Sequence, residues 1–518
     1  MIMLLSFCDC GRIRDSDGSC EKYACIFIKM IKNRHIFMIS GQVARQQRLL
    51  YNIPIKNRLS ESFIEKWRFL VRIFYKRWRN PQNVNLERPM EWGLEIPRDY
   101  KNYKEELVMA LNYKEELEKG YTMRTVMEEA ERCLLCHDAP CSAACPAGTD
   151  PGSFIRSVRF RNFKGAAETV RENNALGSIC ARVCPTEKYC QMACSRCGID
   201  RPIDIGGIQR FVTDFEEAAG MDILKAGTAN GRKVAIVGSG PSAIQAAATL
   251  LSLGYAVDIY EKQEKAGGYL RYGIPEYRLP DKVVDCEISR IEKLGAKFHC
   301  GMTVGKDITM DALKKEFDAV LIAAGFSGAK TLPMFENNPC VETAVSFLAR
   351  VKENQGNISV ENNVLVIGGG DVAMDVATTL KFLGVEHVTD VVYEEFKEFL
   401  ASDKELKGAQ ALGVSIIDGY VPEKVDGSEV TFSHRRIPGE LKLKADKIIL
   451  AVGQKAETAE LGLDVVNNEV NFDGYQTTDP QVFVTGDLAR GDKTVVWAVR
   501  KGKEAAEAIH QVIGGAKA

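Results

Sequence analysis

A chain of 518 residues with 45% hydrophobic and 27% charged side chains is globular in composition and too long for one core, so about three domains are expected. It has no apolar run of eighteen or more residues to cross a bilayer as a helix, and its short apolar start lacks the basic flank of a secretory leader, which points to the cytoplasm. The net charge of −2 is unevenly placed: residues 1–80 hold sixteen Lys and Arg against six Asp and Glu, or +10, which leaves −12 elsewhere and gives the body no reason to bind nucleic acid.

Residues 1–102 form a basic extension whose structure the pattern does not specify. Apolar clusters such as 26–31 alternate with basic runs such as 76–79, without a sustained helical or strand period. Cys8, Cys10, Cys20 and Cys25 lack a histidine at zinc-finger spacing. A membrane-surface or nucleic-acid arm is one reading of the basic part. The simpler expectation is that the segment lies outside the working protein and that translation starts at Met90 or Met109.

Residues 103–228 read as a helical domain. Leu, Met and Ala spaced among Glu and Lys predict helix from about Tyr103 to Glu131, and a second helical stretch covers 152–173. Around the latter lie two thiol runs, Cys133-x2-Cys136-x4-Cys141-x3-Cys145-Pro and Cys180-x3-Cys184-Pro-x4-Cys190-x3-Cys194. Nine of the sixteen cysteines fall between Cys133 and Cys197 in a chain that otherwise looks cytosolic, so metal or cluster binding is a better reading than disulfides. Zinc also takes four thiolates, commonly as two C-x2-C pairs, but only one such pair occurs; the longer spacings suit iron–sulfur clusters. Spacing alone does not say which cysteines share a cluster.

Residues 229–342 open on KVAIVGSGPSAIQAAATLLSLGYAVDIYEKQEKAGG. A buried strand over 234–237 leads into the turn Gly238-Ser239-Gly240-Pro241-Ser242-Ala243, a helix to about Leu253, and a second strand, 256–260, ending in Glu261. This is the order of a dinucleotide-binding unit. Gly238 permits the tight turn, Gly240 lets the backbone approach a pyrophosphate, Ala243 packs on the strand, and Glu261 can accept from a ribose diol. The glycine- and proline-punctuated 267–280 is expected to be a loop beside that ligand, followed by a helix over 283–294, a strand near 297–300 and a buried strand within 317–325.

The pattern recurs in residues 343–455. Strand 363–367 enters the turn Gly368-Gly369-Gly370-Asp371-Val372-Ala373, helix 374–383 follows, and strand 388–393 ends in Glu394 and Glu395. Acids at that strand end repel a 2′-phosphate, which favours NAD over NADP. A strand over 447–451 closes this part. Residues 456–518 then supply Gly486-Asp487 at a strand end and a last helix over 494–508, as though the first nucleotide domain resumed after an inserted second one. The fold expected is α/β: tandem Rossmann-like FAD and NAD domains, glutathione-reductase-like, behind an α-helical iron–sulfur domain.

From about Glu131 onward the chain resembles the small subunit of glutamate synthase and, more closely, the flavin half of dihydropyrimidine dehydrogenase, in particular the FAD subunit of the bacterial NAD-dependent enzyme. The resemblance rests on CLLCHDAPCSAACPAGTDPG, RNFKGAAETVRENNALG, ARVCPTEKYC, GGYLRYGIPEYRLP and GGGDVAMDVATTLK, and covers about three-quarters of the chain. It implies two [4Fe–4S] clusters, one on Cys133, Cys136, Cys141 and Cys194, and another on Cys145, Cys184, Cys190 and the amide of Gln209, with Cys180 and Cys197 as extra thiols. It implies FAD at Gly238, Ser239, Gly240, Pro241, Ser242, Glu261, Lys262, Gly268, Tyr269, Leu270, Arg278, Gly486, Asp487 and Thr494. NAD would meet Gly369, Gly370, Asp371, Val372, Ala373, Tyr393 and Glu394, and at these last positions the NADP-using relatives carry basic residues.

The implied chemistry is an electron relay from NADH through FAD and the clusters to an FMN in a partner subunit, where the C5–C6 bond of uracil or thymine is reduced. No residue of this chain is expected to act as acid or base, and His137, His299 and His387 are read as structural or surface residues. A glutamate-synthase-type input subunit or an NADH–ferredoxin oxidoreductase is the alternative among enzymes. A zinc-bearing binding module on a redox-inactive scaffold is the alternative outside them.

Overall fold

The structure, a computed structural model, describes residues 112–514 apart from 464, 467 and 468, together with strands at 2–14 and 20–31. The chain divides into two units, 1–95 and 96–518. In the first, Ile2–Arg14 and Cys20–Ile31 pair antiparallel with Cys8 opposite Cys25. The expected basic arm and the starts at Met90 or Met109 lie outside the described residues, as do the side chains of the four early cysteines.

The second unit begins with a helical domain. Helix α1, Met123–Glu131, is opened by Thr122 and Thr125, each side chain accepting from the other's amide. The helix expected from 103 is absent over 112–122. The Asn112 carboxamide accepts from the Lys114 amide, which turns the chain, and the Leu117 amide is taken by the Tyr277 carbonyl at 2.9 Å. The stretch expected as one helix over 152–173 is two: α2, Pro151–Arg159, and α3, Phe163–Asn173. Arg161 at φ +57° breaks them, and Asn162 caps the second through the Gly165 amide. Helices α4, Gly177–Val183, and α5, Ile205–Ala218, complete a core of Phe154, Ile155, Val158, Val170, Ile208 and Val212.

The next stretch builds a parallel sheet from β1, Lys233–Val237; α6, Pro241–Ser252; β2, Ala256–Glu261; α7, Asp281–Leu294; β3, Lys297–Cys300; and β4, Ala319–Ile322. A second sheet follows, from β5, Val341–Thr343; α8, Ala344–Glu353; β6, Asn363–Ile367; α9, Asp371–Phe382; β7, His387–Val391; α10, Asp403–Ala411; and β8, Ser415–Ile417. An antiparallel three-stranded sheet of β9, Tyr420–Asp426, β10, Glu429–His434, and β11, Glu440–Lys444, precedes β12, Lys447–Leu450. The chain then returns to the first sheet with β13, Phe472–Asp473, β14, Gln476–Thr477, and β15, Val482–Val484, and ends in α11, Val495–Ile513.

The seven-stranded order is β13-β14-β15-β4-β1-β2-β3 and the five-stranded order is β8-β7-β6-β12-β5. In each sheet the glycine-turn strand lies between two parallel neighbours, one of which is the strand that ends the unit. Buried apolar runs such as Val234–Ile236 and Val364–Val366 suit strands covered on both faces. Among the described residues, no helix is long and apolar enough to cross a membrane.

Candidate redox-cofactor sites

At the first glycine turn the backbone leaves no room for a side chain on Gly238. Gly238 has φ +99°, and a Cβ there would stand 2.5 Å from the Ala323 carbonyl oxygen. Gly240 caps α6 with nothing among the described residues within 4 Å of where its Cβ would be, so the helix N-terminus is open to an approaching anion. Pro241 takes the first helical position, and Ser242 and Ala243 are buried behind it. Glu261, also buried, holds the turn together: one carboxylate oxygen accepts from the Ser239 amide at 3.0 Å and from its hydroxyl at 2.5 Å. The Ser239 hydroxyl in turn accepts from the Gly267 amide at 2.9 Å, which joins the strand-end acid, the turn and the following segment. Lys262 points away, toward Glu457.

The 267–280 segment, expected to be a plain loop, contains one helical turn, Tyr269–Tyr272, started by Gly268 at φ +54°. Gly268 lies against Gly240, where a Cβ would come within 2.8 Å of the Gly240 Cα. A residue that the sequence reading missed organises the segment. Lys352 of α8 is buried and donates to the carbonyls of Ile274 at 2.8 Å and Leu279 at 3.1 Å, and it pairs with Asp281 at 3.1 Å. Burial pulls its ammonium pKa down while Asp281 and Glu276 oppose that. Arg278 is turned to the second nucleotide domain: it grips Asp375 of α9 at 2.5 and 2.7 Å and Glu405 of α10 at 3.0 Å.

The C-terminal segment closes on this site. Gly486, at φ +70°, would bring a Cβ to 2.5 Å from the Ser242 hydroxyl, and Gly502 of α11 would bring one to 2.3 Å from the Ser242 carbonyl. Burial pushes the Asp487 carboxyl up, against the pull of Lys493 and Lys501. Thr494 caps α11 without using its side chain. Among the described residues, the Thr494 hydroxyl, Trp497 indole nitrogen, Tyr269 hydroxyl and Gln454 amide nitrogen are buried without hydrogen-bond partners. Each such group costs about 1–3 kcal/mol unless something satisfies it, so the chain fits a polar, ring-bearing ligand such as FAD lying along α6 and the start of α11.

The second turn repeats the first. A Cβ on Gly368 would meet the Ala451 carbonyl oxygen at 2.4 Å, and Gly370 opens α9 onto free space. Glu394 reaches back to the turn, 2.5 Å from where a Gly369 Cβ would be. Asp371 accepts from the Ser402 amide at 2.7 Å, Val372 is half-buried, and Ala373 is buried against β6. Tyr393 is exposed, with the Arg435 guanidinium 4.2 Å from its ring centre. Basic groups are thus absent from the strand end in sequence but present in space, since Arg435 and Arg436 arrive from the end of β10.

The thiols gather in two groups. Cys141 feels the charges of Cys133 and Cys194, and Cys133 those of Cys136 and Cys194. These four line one hollow, together with Pro140, Gly152 and Ile205. Cys145, Cys180, Cys184 and Cys190 form the other group. Burial is the main cause that pushes Cys141 up to about 11 and Cys180 and Cys190 up to about 12. Among the described residues no three Cys, His, Asp or Glu side chains converge on one metal-ion position. Gln209 is buried, and its amide nitrogen donates to the Gly177 carbonyl at 2.7 Å. Cys197 is exposed. The second group packs with the flavin-side core: Cys145, Cys184 and Tyr189 lie against the same apolar cluster as Val495 and Trp497, and the Tyr189 hydroxyl donates to Asp492 at 3.0 Å.

Two glycine turns on parallel sheets, behind a thiol-rich helical domain, define an oxidoreductase of the flavin- and pyridine-nucleotide-dependent class. In agreement, residues 232–508 match the pyridine nucleotide-disulphide oxidoreductase family and residues 110–221 match the family described as dihydropyrimidine dehydrogenase domain II, 4Fe-4S cluster. The chain is 58% identical over 406 residues to the NAD-dependent dihydropyrimidine dehydrogenase subunit PreT of Escherichia coli (strain K12), covering 78% of this chain and 98% of that protein. It therefore belongs to the family of PreT subunits of NAD-dependent dihydropyrimidine dehydrogenase. The glutamate synthase [NADPH] small chain of Halomonas elongata is 29% identical over 442 residues, covering 76% of this chain and 92% of that one. Among solved structures, FprA of Mycobacterium tuberculosis in complex with NADPH aligns at 18% identity and TM-score 0.48, covering 55% of this chain and 85% of that one.

Proposed function

We propose that this chain is the electron-input subunit of a dihydropyrimidine dehydrogenase, passing electrons from NADH through FAD and two [4Fe–4S] clusters to an FMN-containing partner that interconverts uracil or thymine and their 5,6-dihydro forms. FAD would supply the junction between two-electron and one-electron chemistry. The residues of this chain bind and orient. Gly238–Ser242 and the start of α6 would take the pyrophosphate, Glu261 the ribose, and Asp487 and Thr494 the remaining polar edge. Gly369–Ala373 and Glu394 would do the same for NADH. Cys133, Cys136, Cys141 and Cys194 would hold one cluster. Cys145, Cys184 and Cys190 would hold the other with Gln209, whose amide nitrogen is tied to Gly177 and whose oxygen is left as the donor. Cys180 lies beside this second set as a thiol.

The observation that carries this reading is the placing of the second thiol group against the core shared with Val495 and Trp497, next to the buried unpaired groups of the flavin site. It supports a relay in which the second group lies nearer the flavin and the first further along. The test is anaerobic native purification with flavin analysis and a dihydrouracil assay. FAD and FMN together, with dihydrouracil reducing NAD⁺ and not NADP⁺, are expected. FAD alone, in a preparation in which NADH reduces ferredoxin or dyes, would leave the relay and remove the pyrimidine reaction.

A further inference from the structure

The end of the second nucleotide strand carries a charge arrangement that the sequence does not reveal. Tyr393, Glu394 and Glu395 follow β7 where the adenosine ribose of a dinucleotide meets this type of fold. Backbone hydrogen bonds fix the neighbouring antiparallel sheet against them. The Gly419 amide donates to the Glu394 carbonyl at 3.0 Å, the Tyr420 amide to that of Val392 at 3.1 Å, and the Arg435 amide to that of Gly419 at 2.9 Å. Arg435 and Arg436 are therefore delivered to the ribose end as a dibasic pair. Both are already engaged: Arg436 meets Glu395 at 2.7 Å, and Glu398 bridges Arg435 at 3.0 Å and Arg436 at 3.3 Å.

We propose that Glu395 and Glu398 are specificity-determining residues, which hold Arg435 and Arg436 in ion pairs and so withhold two cations from the 2′-phosphate of NADP(H). The assignment rests on the NAD reading above. A 2′-phosphate at this edge meets four charges that sum to zero, with Glu394 adding a further acid. A 2′-hydroxyl pays no such penalty and can donate to Glu394. The pairs are partly exposed and individually weak, so the choice of nucleotide is set by their sum and is easily reversed.

The test is equilibrium binding of 2′,5′-ADP, the 2′-phosphorylated fragment, to the purified protein at low salt, with ADP-ribose binding as the check on the nucleotide domain. In E395Q/E398Q the affinity for 2′,5′-ADP is expected to rise about tenfold or more, since two charge-assisted contacts are freed. The ratio of kcat/KM for NADPH to that for NADH should move the same way, and the gain should shrink at high salt. Adding R435A/R436A should abolish it. An unmoved 2′,5′-ADP affinity, or a gain that persists without the arginines, would overturn the assignment while a wild-type preference for NADH leaves the NAD reading standing. Equal use of NADH and NADPH by the unaltered chain would overturn both.

Discussion

Asp390 shows how much a single residue can cost. It sits inside β7, fully buried, and neither carboxylate oxygen has a hydrogen-bond partner among the described residues. Burial pushes its pKa well up. Its folded pKa exceeds its unfolded one, so as pH rises through the ordinary carboxylate range the unfolded chain loses the proton first, and stability falls. Asp390→Asn should therefore be more stable than wild type by about 1–3 kcal/mol at pH 8, with the gap closing toward pH 4. Urea unfolding across that range measures it, and a difference independent of pH would mean that the carboxyl is not the cause.

At the level of elements, the segment over 267–280 depends on Lys352, a side chain from another domain. Lys352→Met leaves three backbone carbonyls and Asp281 without their cation, at a cost of about 3–5 kcal/mol. Flavin should dissociate from the purified variant on gel filtration, with a lower Tm; full flavin retention at an unchanged Tm would show that the segment holds itself. This dependence explains what the sequence could and could not tell. Gly238, Gly240 and the strand-ending Glu261 were legible because each answers a local demand: a turn, an open helix end, an acid in register. The single helical turn at Tyr269–Tyr272 and the irregular 112–122 were not, because the Lys352 ammonium and the Tyr277 carbonyl that shape them come from far along the chain. Arg435 and Arg436 were hidden for the same reason, forty residues from the strand end that they face.

For the whole molecule, the joint between the thiol-bearing helices and the flavin domain is ionic. Arg171 of α3, fully buried, pairs with Glu216 of α5 and Glu287 of α7, each at 2.8 Å. Glu287 also accepts from the amide of Ser178, two residues before Cys180. Arg290 reaches Glu216 at 3.0 Å. Arg171→Met would leave two buried carboxylates to share Arg290 alone and should destabilise the protein by about 3–5 kcal/mol, with iron lost relative to flavin. Chemical unfolding and iron-to-flavin ratios check this; a normal ratio would place the joint's role elsewhere.

The split of the flavin domain has a consequence for how the protein is made. β4 stays an open sheet edge until β15 arrives to pair with it, and α11 must follow before α6 is covered. At ordinary rates of translation the interval between these strands is roughly 8–30 s, long compared with the folding of the intervening NAD domain. A nascent chain thus carries a finished nucleotide domain beside an unfinished one with an unpaired strand, a risk for aggregation on the ribosome that cofactor supply alone does not relieve. Loss of the last helix by proteolysis would uncover α6 again.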